Sequence, residues 1–332
     1  MASCNMTGAQ AILTATLVVL LSLTRLSLGA RRLPEPLLQI TPVGDELSYH
    51  GGSVLRGDIH VSIVWYGRFK PAQRAIVVDF ILSLTPPPSS TPNAAAPSAA
   101  QWWRTIDASY LSKPNTTATR VLLANQATDE RYSLGKSLTL AQISQLAAAA
   151  AGARAKEAGA GALVLVLTDR DVAVEGFCRA RCGLHGAGPA SASASSYAYA
   201  WVGDAERACP GQCAWPFARP AYGPVTDDNT PLEPPNGDVG ADGIVATLAS
   251  VVAGAVTNPF GDGFYQGDKD AALEACTACA GVFGTGAYPG YAGKVMLDET
   301  TGGSYNAVGV NGRKYLLPAV YDPAKSGCSV LV

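Results

Sequence analysis

The chain has 332 residues, 15% of them charged, and a formal net charge of −2 at pH 7. Charges this sparse and balanced supply neither a basic face for nucleic acid nor a polybasic arm for a membrane surface. The length accommodates one large domain or two, with a substantial core.

Residues 11–28 (AILTATLVVLLSLTRLSL) are apolar apart from small hydroxylated residues and Arg25, and lead into Gly29-Ala30. That layout is a secretory signal spanning residues 1–30, although no Lys or Arg precedes the apolar run. As an uncleaved membrane span it would bury Arg25 at a cost on the order of 3 kcal/mol, so cleavage near Ala30 is the preferred reading. No second long apolar run follows, and no membrane span is expected after cleavage. Residues 31–47 read as a lead-in segment.

His60 to Tyr66 is a β-branched and aromatic run closed by Gly67, hence a buried strand. Pro71 suits a helix start, and Ile76, Val77, Phe80, Ile81 and Leu84 recur at helical spacing. After a Pro/Ser/Ala-rich loop, Ser98-x-x-Gln101 forms a capping box for a helix bearing Trp102, Trp103, Ile106 and Tyr110. Arg120 to Leu123 is a short strand candidate. Thr139-x-x-Gln142 caps a further helix through the Ala-rich run to about Glu157. Ala162 to Thr168 is a continuous apolar strand of the kind buried on both faces, and Tyr197 to Val202 is another. Asp242 to Val256 reads as a buried helix ended by Asn258-Pro259. Strands alternating with helices imply an α/β fold, a layered sheet with flanking helices. The Cys-, Gly- and Tyr-rich C-terminal third wraps it with irregular, disulfide-stapled structure.

Past the signal, the cysteines are Cys178, Cys182, Cys209, Cys213, Cys276, Cys279 and Cys328. The first four have paired spacings that suit structural zinc, but in an oxidising compartment disulfides are preferred. Asn115-Thr116-Thr117 is a glycosylation sequon. Three histidines restrict catalysis, and H-E-x-x-H, G-x-S-x-G and a phosphate loop are all absent. His50-Gly51-Gly52 is read as a turn and His60 as structural, while His185 lies in a glycine-rich setting among the cysteines. Carboxylates stand at Asp169, Asp171 and Glu175, at Asp238 and Asp242, and at Asp262 and Asp268. Glycoside hydrolysis needs two carboxyls roughly 5–9 Å apart across a cleft. Capping and turn formation are the plainer assignments for the latter two pairs, and EF-hand spacing for calcium is absent.

Several segments together resemble a known family. They are Tyr49-His-Gly-Gly52, Ile63-Val-Trp-Tyr-Gly67, Leu134-Gly-Lys-Ser-Leu138, Asp171-Val-Ala-Val-Glu-Gly-Phe-Cys178 and Cys209-Pro-Gly-Gln-Cys-Ala-Trp-Pro-Phe217. Thr257-Asn-Pro-Phe-Gly-Asp-Gly263, Gly286-Ala-Tyr-Pro-Gly-Tyr-Ala-Gly293 and Asn311-Gly-Arg-Lys-Tyr-Leu-Leu-Pro318 continue the match. They resemble the plant EXORDIUM (phosphate-induced protein) family, in order, over residues 48–332, which are taken as one EXORDIUM-like domain. The resemblance implies an apoplastic or cell-wall protein that promotes cell expansion, and it supplies no catalytic residues. Six cysteines match the family pattern. The preferred scheme ties Cys279 to Cys328, pairs the four at 178, 182, 209 and 213 among themselves around His185, and leaves the additional Cys276 as a free thiol that competes with Cys279. The Ser/Ala tract at 189–196 is a second departure from the pattern.

Ser250 to Pro259 also resembles the zinc-peptidase-like segment H-E-x-x-(H/E)-A-x-T-D-P. The first and fifth positions of that segment hold metal and the second activates water. Here they are Ser250, Gly254 and Val251, so the resemblance implies an inactivated zinc-peptidase-like scaffold. The leading expectation is a non-catalytic extracellular protein without cofactor or metal. Its partner is cell-wall carbohydrate or an extracellular receptor, docked through aromatics such as Trp215, Tyr288 and Tyr291. The alternative is a wall-polysaccharide hydrolase using Asp169, Asp171 and Asp238.

Overall fold

A computed structural model describes residues 46–86, 97–113, 116–151, 161–188, 197–221 and 230–332. The expected signal at 1–30, the sequon asparagine Asn115 and the Ser/Ala tract at 189–196 lie outside the described residues, as do the lead-in up to residue 45 and the expected helix end near Glu157.

The centre is a five-stranded sheet built from β1 (Asp58–Tyr66), β2 (Arg120–Asp129), β3 (Ala162–Thr168), β4 (Gly183–Ala187) and β5 (Ala198–Gly203). Its order is β2-β1-β3-β5-β4, with β4 antiparallel at the edge and every other neighbour parallel. Successive side chains of a strand point to opposite faces. Ile59, Val61, Ile63 and Trp65 therefore pack on one face with Leu163, Leu165 and Leu167, under α1 (Pro71–Leu84), α2 (Ala99–Ile106) and α4 (Val239–Thr257). Val64, Tyr66, Val164, Val166 and Trp201 pack on the other face, under α3 (Leu140–Ala151). Both faces are covered, which is why β3 is apolar at every position but the last.

The helix starts follow their capping residues. The Ser98 hydroxyl accepts the Gln101 amide at 3.2 Å. Thr139 and Gln142 exchange both bonds of the box, at 3.2 and 2.8 Å. Asp238 accepts the Ala241 amide at 2.9 Å and opens α4. α2 runs on into a single wide π turn over Asp107–Leu111, which carries Tyr110.

Three differences from the sequence expectations have physical causes. The strand starting at Arg120 continues to Asp129, because β1 offers a parallel partner along that whole length even where the β2 residues are polar and exposed. β4 was missed because Gly-Leu-His-Gly-Ala carries neither β-branched residues nor an apolar alternation. α4, at 19 residues, is long and apolar enough to cross a membrane, contrary to the expectation of no second apolar run. Its composition reflects burial: Leu248, Ala249, Val252, Ala253 and Val256 are all at or below 1% exposure.

Disulfides join Cys178 to Cys209, Cys182 to Cys213, and Cys279 to Cys328, while Cys276 is a buried free thiol. The first two are parallel rungs that tie the segment entering β4 to the short helix Pro210–Cys213.

Candidate functional site

Ligand sites in open parallel sheets form beyond the carboxyl ends of the strands, and that edge carries the expected carboxylates. Asp169, immediately after β3, is 5% exposed and fully engaged. It accepts the Arg68 amide at 2.5 Å, the Tyr132 hydroxyl at 2.8 Å and the Asp171 amide at 2.9 Å. Gly67 makes this possible: its φ is +115°, and a β-carbon there would fall 2.3 Å from the Asp169 carboxyl. The Tyr132 hydroxyl is pushed up to about 12 by desolvation and then by its bond to Asp169. Asp171 is paired with Arg207 at 2.6 Å and Lys136 at 3.5 Å, and the Arg207 bond holds its carboxyl below the usual range.

The structure thus joins Asp169 and Asp171 in one turn. Among the described residues, no hydrogen bond or ion pair links either to Asp238. That residue caps α4 and accepts the Gln73 amide at 3.0 Å. The carboxyls with raised pKa lie beside it: Asp242, one of the expected carboxylates, and Asp204, which the sequence did not mark. Burial pushes Asp204 up to about 6 and Asp242 up to about 7, with the Asp238 charge adding to both. Asp242 nonetheless accepts the Asn236 backbone amide at 2.9 Å and its side-chain amide at 2.6 Å.

The second place is the face of α4 where the peptidase-like segment puts its metal. Helical spacing turns Val251 and Gly254 toward β4. A β-carbon on Gly183 would lie 3.1 Å from the Val251 side chain. A β-carbon on Gly254 would lie 2.2 Å from a Glu274 carboxylate oxygen and 2.9 Å from His185 Nε2. His185 Nε2 meets both Glu274 oxygens, at 2.9 and 2.8 Å, with side-chain exposures of only 16% and 12%. The Asn258 amide donates to Glu274 at 2.7 Å. The space a ligating side chain at 254 would need is therefore occupied by a His–carboxylate pair. Among the described residues no group of three His, Cys, Asp or Glu is placed to hold a metal ion. Of the His–carboxylate pair the sequence marked only His185. Glu274, 89 residues away, gave no signal.

The third place is a groove of about 550 Å³ lined by Gln212, Trp215, Pro220, Tyr288 and Pro289, continuing into a smaller recess where Tyr291 joins Trp215. Trp215 follows the disulfide-held helix Pro210–Cys213 and leans on Phe283, with ring centroids 5.9 Å apart. Tyr288-Pro-Gly-Tyr291 is a tight turn closed by reciprocal backbone bonds of 3.1 and 2.8 Å, with Gly290 at φ +92°. The turn sets the two tyrosine rings 5.1 Å apart. The structure thus brings Trp215 to two tyrosines that stand more than 70 positions further along the chain. Among the described residues no charged side chain lines the groove.

Fold and sites together define a disulfide-stapled three-layer α/β protein, with a closed His–carboxylate pair at its core helix and an uncharged aromatic groove on its surface. The family model described as "Phosphate-induced protein 1 conserved region" matches residues 47–331. The protein PHOSPHATE-INDUCED 1 of Nicotiana tabacum is 50% identical over 294 residues, 88% of this chain and 90% of the relative. EXORDIUM-like 1 of Arabidopsis thaliana is 53% identical over 287 residues, covering 85% and 89%, and EXORDIUM of the same plant 49% over 325 residues, covering 97% and 99%. The chain belongs to this phosphate-induced protein 1 / EXORDIUM family. No solved structure matches it.

Proposed function

We propose that this chain is a secreted protein of the plant apoplast and cell wall that regulates cell expansion and growth by binding wall carbohydrate or an extracellular receptor, without catalysis. The observation that carries this reading is the closed face of α4. Where the peptidase-like segment holds metal and a base, this helix presents Ser250, Val251 and Gly254, and the His185–Glu274 pair fills the remaining space. Its α/β core is on this reading an inactivated zinc-peptidase-like scaffold. The hydrolase reading draws no comparable support: Asp169 and Asp171 lie in one hydrogen-bonded turn, and Asp238 is committed to a helix cap.

The test is a hydrolysis screen on wall polysaccharides and peptides with protein purified from the culture medium of secreting cells without chelator, alongside metal analysis. The expected result is no turnover, no stoichiometric zinc, and an N-terminus close to Arg31. Stoichiometric zinc lost together with a peptidase activity, or reducing ends released from a glycan, overturns the non-catalytic reading. Protein beginning at Met1, or found only in membranes, overturns the secreted one.

A further inference from the structure

Among the described residues, the groove at Trp215 leaves part of its aromatic surface uncovered. Trp65, Trp102, Trp103 and Trp201 are all at or below 2% exposure, whereas Trp215 reaches the surface and Tyr288 is 58% exposed. The Gln212 amide, the Trp215 indole and the Tyr288 and Tyr291 hydroxyls belong to exposed or half-buried residues, and among the described residues no side-chain hydrogen bond engages them. A concave surface of this volume, mostly apolar with a few convergent polar groups, has the character of a small-ligand cleft.

We infer that this groove binds a neutral polysaccharide chain, stacked on Trp215 and Tyr288 and hydrogen-bonded by Gln212 and the tyrosine hydroxyls. The inference rests on the reading of the protein as a wall-binding protein and names the ligand class and the site. A pyranose ring presents one face of C–H bonds, which packs on the electron-rich face of an aromatic ring. Its hydroxyls both donate and accept, which matches a side-chain amide and two phenols. An anionic, uronate-rich polymer finds no cation in the lining among the described residues. A proline-rich peptide also docks in aromatic grooves, but its backbone offers only carbonyl acceptors and leaves the acceptor oxygens of Gln212 and the tyrosines unused.

Protein purified from the culture medium is run through native gels containing xyloglucan, glucomannan or polygalacturonate, and titrated with a polyproline peptide while acrylamide quenching of tryptophan is followed. The expected result is retardation by a neutral polymer with protection of Trp215 from quenching, and no response to polygalacturonate or polyproline. Tyr288→Ala, at a position 58% exposed, is expected to weaken retardation about fivefold, the scale of one lost ring contact. Tyr49→Ala, an exposed tyrosine outside the groove, leaves it unchanged. Absence of retardation by every neutral polymer, or binding of polyproline alone, overturns the inference. Retardation unchanged in both Tyr288→Ala and Gln212→Ala overturns the groove while leaving the binding reading intact. Cleavage of a polymer whose retardation is still lost in Tyr288→Ala supports the groove while overturning the non-catalytic reading.

Discussion

In the central sheet every residue of β3 is buried and helices cover both faces. From Phe264 onward, by contrast, the regular pieces are two or three residues long and single polar side chains anchor the chain. Asn306, 1% exposed, is the clearest of these anchors. Its amide donates to the carbonyls of Phe283 and Leu317 at 2.8 and 2.7 Å and its oxygen accepts the Leu317 amide at 2.8 Å. The Trp102 indole reaches from α2 to the Pro318 carbonyl at 2.7 Å. A sheet covered on both faces draws its stability from apolar area, which many side chains supply interchangeably. An irregular segment must satisfy each buried backbone group by a specific partner, so it tolerates fewer substitutions and needs covalent help.

The sharpest way to break this contrast is to remove the Cys279–Cys328 bridge by a Cys279→Ser/Cys328→Ser double substitution. The bridge spans 49 positions, and the chain-entropy model assigns a loop of that size about 4 kcal/mol. Hydrogen exchange is expected to accelerate in residues 264–332 while the amides of β1, β3 and β5 stay protected. Equal loss of protection in both regions would mean that they unfold as one unit.

Asn306→Ala comes next, at about 3 kcal/mol, because it strands three buried backbone groups. Leu165→Met in β3 is expected to cost only about 1 kcal/mol, since the volume is conserved. Denaturant titration compares the two, and similar values would remove the distinction between area and anchors.

The pH response separates the regions further. Burial raises Asp204 to about 6 and Asp242 to about 7, from an ordinary 3.8. A raised carboxyl contributes stability that is complete below its unfolded value and disappears as pH climbs through its folded value. The melting temperature is therefore expected to fall from about pH 4 to pH 7, with about 4 kcal/mol of the loss above pH 5, and Asp242→Asn should flatten the profile. In the C-terminal region the sign is opposite. The Lys314 ammonium beside Asp298 holds that carboxyl at about 2, so its contribution is lost only as pH falls through that range. A profile that rises from pH 5 to pH 8 contradicts the buried placement of Asp204 and Asp242.

The smallest effect concerns Cys276, whose thiol is 1% exposed and raised by burial. Native protein should resist alkylation, denatured protein should label at Cys276, and Cys276→Ala should cost about 1 kcal/mol. A Cys276–Cys279 bridge with Cys328 labelled would contradict the pairing described here.

The difference between the regions also explains what could be read in advance. Residues 60–66 and 162–168 announce themselves as strands because a strand covered on both faces must be apolar throughout. Pro71, Ser98 and Thr139 mark helix starts because capping is local chemistry, settled within four residues. The family was legible for a similar reason, since long ordered motifs such as Cys209-Pro-Gly-Gln-Cys-Ala-Trp-Pro-Phe217 carry it residue by residue. β4 escaped because its place at the sheet edge comes from its partner β5 rather than from its own composition.

What the sequence determined by itself, then, was everything governed by neighbours along the chain: periodicity, caps, turn glycines and the residues that identify the family. Only the tertiary structure decided which distant groups meet. His185 joins Glu274 over a glycine that leaves them room. Asp242 acquires its raised pKa from burial, which spacing along the chain does not forecast, and Trp215 gains Tyr288 and Tyr291 as companions across the groove. Those encounters depend on how sheet, helix and loop pack in space, and residue spacing along the chain carries no measure of that distance.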